Sequence, residues 1–167
     1  TMNYNWIYAL FGSIAFSFST YLLIILQVGH NTKALAISFF PFVISGIFLL
    51  FKKRWLFGFI LSSIALGMQV RANHYQMTYY LFFLIGFLLF TFGFHALKTN
   101  KIKSFLSSVF ILLLSGIVGL GFNSTSLLAT LEYSNFSTRG ASELTINPDG
   151  SPKEITSGLD FDYITEY

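Results

Sequence analysis

Cysteine is absent from all 167 residues, and the first 131 contain neither aspartate nor glutamate. The first absence removes disulfide frameworks and thiolate metal sites. The second removes carboxylate chemistry from most of the chain, because no general acid, nucleophile or metal ligand of that type can come from that stretch. Charge of either sign is scarce, at 10% of residues against about 25% in soluble globular proteins. Among the loops between apolar runs there is no glycine-rich, acid-bearing stretch of the kind that holds a nucleotide. No cofactor is therefore expected.

What is present is apolar: hydrophobic residues make up 54% of the sequence, and phenylalanine alone occurs 21 times. A soluble fold of this length could not cover that much apolar surface with so few polar groups. The charges are also divided along the chain. Residues before Glu132 carry a net +8, and those from Glu132 onward a net −5. Two solvents are implied, lipid for residues 1–122 and water for a tail over 123–167. No basic stripe with interleaved aromatics lies in a polar segment, so nucleic acid is not an expected partner.

A membrane-spanning helix needs about 20 mainly apolar residues, with about 17 to 25 tolerated. Five segments approach this length: 6–26, 35–51, 55–70, 77–97 and 105–122. Short polar stretches separate them, which predicts consecutive antiparallel hairpins. The expected fold class is thus all-α, a polytopic transmembrane helix bundle of about five spans with a short extracytoplasmic tail. The first segment has no basic n-region and no small-residue cleavage site, so it reads as a span and not as a removable signal.

Lysine and arginine counts in short loops predict orientation. Lys52, Lys53, Arg54, Lys98, Lys101 and Lys103 fall in one alternate set of turns, against Lys33 and Arg71 in the other. The first set is expected in the cytoplasm, with the start of the chain, and the second set and the tail outside. In the tail, Ser124-Thr125-Ser126 is expected to cap a short interfacial helix carrying Leu127, Leu128 and Leu131 on one face. Asn147-Pro148-Asp149-Gly150 is a turn signal that would join two short strands. Thr1 stands before Met2, and the last eight residues alternate like a strand. Both features lead to the expectation of a piece of a longer polytopic protein.

The candidate site lies in the two outer turns. Polar groups at membrane depth are costly unless they are partnered or face a water-filled cavity, and by default they mark function. Lys33 and Arg71 offer positive charge suited to phosphate oxygens, which an arginine can grip bidentately. They can equally snorkel to ordinary lipid phosphates. His30 and His74 can exchange protons, and Asn31, Asn73 and Gln76 add hydrogen-bonding groups. The two turns are expected to meet on one membrane face. A metal site is not expected, since two histidines lack a third ligand at recognisable spacing. Asp160-Phe161-Asp162 and the Arg139-Gly140 turn with Glu143 nearby read as surface features of the tail.

Three separated stretches carry a resemblance. They are Gly29-His30-Asn31-Thr32-Lys33-Ala34, the run from Ala72 through Tyr80, and the stretch from Ser137 through Glu154. In this order they resemble the YfhO family of bacterial integral membrane proteins, especially its Bacteroidetes-type members. Members of that family are much longer, so the resemblance implies an internal fragment whose first partner is the rest of the same polypeptide. It further implies a relation to the GT-C glycosyltransferases, which use polyprenyl-phosphate sugars at the outer face of the bacterial inner (cytoplasmic) membrane. That class places its catalytic acid in a large outer loop, which nothing here matches. The catalytic residues are therefore unknown, and catalysis by this stretch alone is not expected. The other reading is a non-enzymatic membrane subunit or a lipid or polymer transporter component.

Overall fold

The computed structural model describes residues 5–134. The expected tail hairpin and the features at 139–162 lie outside them. The chain divides into two units, Thr1–Asn123 and Ser124–Tyr167.

The described residues are helical, without a strand among them: α1 (Trp6–Ser17), α2 (Thr20–Gln27), α3 (Asn31–Ser38), α4 (Phe40–Phe51), α5 (Trp55–Arg71), α6 (Tyr75–Lys98), α7 (Ile102–Gly121) and, in the second unit, α8 (Ser124–Ser134). Taken in pairs, α1–α2 and α3–α4 cover Trp6–Gln27 and Asn31–Phe51, and these with α6 and α7 are four spans long and apolar enough to cross a membrane. The fifth, α5, has 17 residues and so runs for about 26 Å, against a hydrocarbon core of about 30 Å. The chain is a polytopic transmembrane helix bundle.

Two of the spans differ from the sequence reading. The first span is not one helix: Ser19 adopts an extended backbone (φ −61, ψ 136) between α1 and α2. Neither glycine nor proline marks the break. Ser17, Ser19 and Thr20 surround it, residues whose hydroxyls compete for backbone groups and whose helix propensity is modest. The second span starts at Asn31, so that Asn31 and Lys33 lie on α3 and not in a loop. Polar residues are accommodated there because the first amides of a helix have no partner inside it. A weaker joint at Phe39 follows from Pro41, which cannot donate to the carbonyl four residues back and crowds it.

Each of the four turns between spans has three residues, 28–30, 52–54, 72–74 and 99–101. In each the middle residue is left-handed: Gly29 (φ 85), Lys53 (φ 61), Asn73 (φ 54) and Asn100 (φ 53). At three of them paired backbone bonds close the helix end. His30 N–H reaches Ile25 O and Gly29 N–H reaches Leu26 O, with the same pattern for Arg54 and Lys53 on Leu49 and Leu50, and for Lys101 and Asn100 on Ala96 and Leu97. This double bond satisfies carbonyls that a helix end leaves free. Glycine and asparagine tolerate the left-handed region. Lys53 does not, and it is the exception among the four.

Packing centres on α5, which lies against both α4 and α7. Its buried positions are Gly58, Ser62, Ser63, Ala65, Gly67 and Gln69. Without a hydrophobic drive between helices in lipid, small residues bring backbones into contact and dispersion does the rest. A Cβ at Gly58 would stand 2.8 Å from the backbone nitrogen of Leu50 on α4. Cross-helix hydrogen bonds add to this. Ser108 Oγ donates to Leu50 O at 3.0 Å, and Asn123 Nδ2 donates to Gly67 O at 2.8 Å and Gly119 O at 3.0 Å.

The larger side chains Val43, Ile47 and Leu50 of α4, Leu81 and Ile85 of α6 and Leu112 of α7 complete the core. On the outside, α6 leaves Phe83, Phe87, Phe90 and Phe94 exposed along one stripe. The four recur at helical spacing, as a lipid-facing surface requires.

Candidate functional site at the polar turns

The turns 28–30 and 72–74 fall at the same end of the bundle, because two spans of opposite direction, α3–α4 and α5, separate them. Ala36 of α3, Ala72 of the second turn and Met77 of α6 form one buried cluster, with Ile37 and Phe40 packed on it. Thus α3, which carries Asn31 and Lys33, lies against the second turn.

The predicted residues are not drawn into one hydrogen-bonded group. His30 is exposed at the N-cap of α3 and makes no side-chain capping bond. Asn31 is exposed and borders a shallow cavity of about 360 Å³ with Phe16, Leu22 and Leu35. Lys33 is half-buried, and its ammonium lies 5.4 Å from the ring centroid of Tyr21. That cation–π contact holds the lysine toward α2.

In the second turn Arg71 is exposed in the last turn of α5, where a cation complements the negative end of the helix dipole. Asn73 supplies the left-handed corner. Gln76 is exposed and donates through Nε2 to Tyr80 Oη at 3.0 Å. His74 is half-buried, and its Nδ1 is shielded with no hydrogen-bond partner among the described residues. Its backbone carbonyl accepts a long bond from Thr78 Oγ1, 3.4 Å.

Sequence reasoning missed Gln69. It falls within the apolar stretch of the third span, 55–70, where a single amide does not interrupt the hydropathy. The signal was its polarity inside a span, which by itself marks a candidate. Gln69 is fully buried, and its Nε2 donates to Thr78 Oγ1 at 3.1 Å. Its Oε1 has no partner among the described residues. An acceptor left in that state costs roughly 1–3 kcal/mol.

Gln69 and Thr78 are the two polar side chains lining a cavity of about 440 Å³ between α5, α6 and α7. The remaining wall is hydrocarbon, including Leu66, Leu81, Ile85, Leu112 and Ile117. On α7 the lining extends from Leu120 to Val109, about 16 Å along the axis. The cavity is an apolar slot, and its polar pair lies close in sequence to the second turn: Gln69 is two residues from Arg71, and Thr78 four from His74. No family model, characterised protein or solved structure matches this chain.

Proposed function

We propose that this chain is part of an integral membrane glycosyltransferase-like protein of the kind its resemblance to YfhO implies, taking a sugar from a polyprenyl-phosphate donor at the extracytoplasmic face. The observation that supports this reading is the slot: a long apolar cavity whose polar wall, among the described residues, is the buried Gln69 with the half-buried Thr78, and in which Gln69 Oε1 has no partner among the described residues. The prenyl chain would occupy the hydrocarbon part, and a headgroup hydroxyl would donate to Gln69 Oε1. Arg71 would hold the phosphate through two guanidinium N–H groups. Lys33, His30, Asn31, Asn73, His74 and Gln76 would shape the surrounding polar rim.

In such a transfer the bond between the anomeric carbon and the phosphate oxygen breaks, and the lipid phosphate leaves with the electron pair. The acceptor oxygen bonds to that carbon and gives its proton to a base. Cations at the turns suit the departing phosphate. The first unit holds no carboxylate to act as the base, so that group would come from beyond it.

A second reading, a lipid or polymer transporter component, is favoured by the break between α1 and α2. Interrupted helices at membrane depth are tolerated where they are buried in protein or line an aqueous cavity, and they recur in transporters.

Gln69→Leu tests the slot. It removes an unpaired acceptor while nearly keeping volume, so the unfolding temperature of the purified protein should stay level or rise. Affinity for a prenyl-phosphate hexose should fall roughly two- to tenfold, the worth of one net hydrogen bond. A lower unfolding temperature with unchanged affinity would make Gln69 structural and remove it from the site.

A further inference from the structure

At the opposite end of the bundle from the polar turns, two other turns come together around a second cavity. Its volume is about 440 Å³, and Lys52 and Lys53 enter from the α4–α5 turn while Lys101 enters from the α6–α7 turn. His95 and Ser104 complete the polar lining with Thr99. The Thr99 hydroxyl already donates to His95 O at 2.9 Å. The sequence alone gives these lysines a role in orientation only. The structure gathers them from separate turns onto one cleft.

Below the lysines the cleft is aromatic. Phe51 stacks on Phe92 at 4.2 Å and on Phe105 at 5.7 Å, and Phe48 meets Phe92 edge-on at 5.5 Å. Rings from α4, α6 and α7 thus make a dry base under a positive rim. The rim has no neutralising partner in its own unit, because no aspartate or glutamate precedes Glu132. The start of α7 adds to the field: Lys101 is its N-cap, no side chain caps the helix and its first turn holds no acid. Its unpaired amides therefore leave partial positive charge at the same cleft.

Lys53 is the most telling member. It occupies a left-handed backbone position that glycine or asparagine fills at the other three turns. Strain of this kind persists only where the surrounding structure imposes it, and it clusters at ligand sites.

We propose that this cleft is a binding site for the phosphodiester headgroup of an anionic phospholipid. Lys52, Lys53 and Lys101 surround the phosphate, and the phenylalanine base receives the first carbons of the acyl chains. Basic pockets between transmembrane helices favour such headgroups, and each lysine that lines the cleft contributes about 1 kcal/mol, or about fivefold in affinity. Lys98 and Lys103 carry the same charge at the same end but do not line the cleft. The Lys98 ammonium lies instead 4.6 Å from the Phe94 ring centroid. These two separate a built site from diffuse attraction to a charged surface.

The full chain, purified in phosphatidylcholine nanodiscs, is titrated with phosphatidylglycerol while lipid binding and unfolding temperature are followed. Wild type should bind phosphatidylglycerol in preference to phosphatidylcholine and unfold at higher temperature with it. The Lys52→Gln, Lys101→Gln double variant should lose about 25-fold of that preference, two lysines at about fivefold each, while Lys98→Gln, Lys103→Gln keeps it. Lys53→Gly decouples the two roles: it relieves the left-handed strain, so the lipid-free protein should unfold at higher temperature, yet its preference should drop about fivefold. Equal binding of both lipids would overturn the proposal. Equal losses in the two double variants would overturn it as well, as would the same stabilisation by free inorganic phosphate.

Discussion

Gly46→Val is expected to push α4 away from α5 and to lower the stability of the purified protein by about 1–3 kcal/mol or more. The reason is contact between backbones: a Cβ at Gly46 would stand 2.9 Å from the backbone nitrogen of Ser62, closer than real Cβ atoms approach. A flexible side chain can yield to such an intrusion, but a helix backbone can do so only by moving the whole helix. Gly12→Val in α1 is the matched control, since nothing lies within 4 Å of its Cβ position. Unfolding of both variants in the same detergent should show a clear loss for the first and little change for the second. Equal stability of both would mean that α4 and α5 are not held by this close approach.

The small-residue seam that makes Gly46 sensitive was only partly visible in the sequence. Segment length and hydropathy were enough to find the spans, because a membrane demands long apolar helices and little else. Which face of α5 is buried was not legible, since Gly58, Ser62, Ser63 and Gly67 look like weak interruptions of an apolar run until α4 and α7 are placed on them. The break at Ser19 was hidden for the same reason: nothing in a run of apolar residues with scattered serines distinguishes a continuous helix from an interrupted one. Asn31 and Lys33 read as loop because they are polar, yet their backbone is helical from Asn31 onward.

The candidate site was legible as polarity and not as geometry. His30, Arg71 and His74 stand out as polar groups between apolar runs, but nothing in their spacing shows that Lys33 is turned onto Tyr21. Gln69 shows the converse case. Its chemistry is plain in the sequence, and its importance comes only from complete burial beside a cavity that residues far apart in the chain create.

Arg71→Ala is expected to weaken binding of a prenyl-phosphate hexose by at least roughly 10- to 150-fold, the value of one of the two charge-assisted hydrogen bonds it would make, at about 1.5–3 kcal/mol. Arg71→Lys should lose less, because lysine keeps the charge and gives up the fork that grips two oxygens. Since Arg71 is exposed at the end of α5, neither change removes a packed group. Unfolding temperatures should therefore stay near wild type while affinities separate in the order Arg, Lys, Ala. A fall in stability with unchanged affinity would assign Arg71 to the fold.

The most direct measurement of the proposed donor site is photo-crosslinking of the purified protein with a prenyl phosphate that carries a diazirine on its chain, followed by mapping of the labelled peptides. Labels are expected on the buried slot-lining residues, Leu81 and Ile85 of α6 and Leu112 of α7. Gly86→Phe, which introduces a large ring into the slot wall, should abolish them. Labelling confined to the outward stripe of Phe83, Phe87, Phe90 and Phe94, and unaffected by Gly86→Phe, would show that the lipid meets only the outer surface of the bundle and would contradict the account.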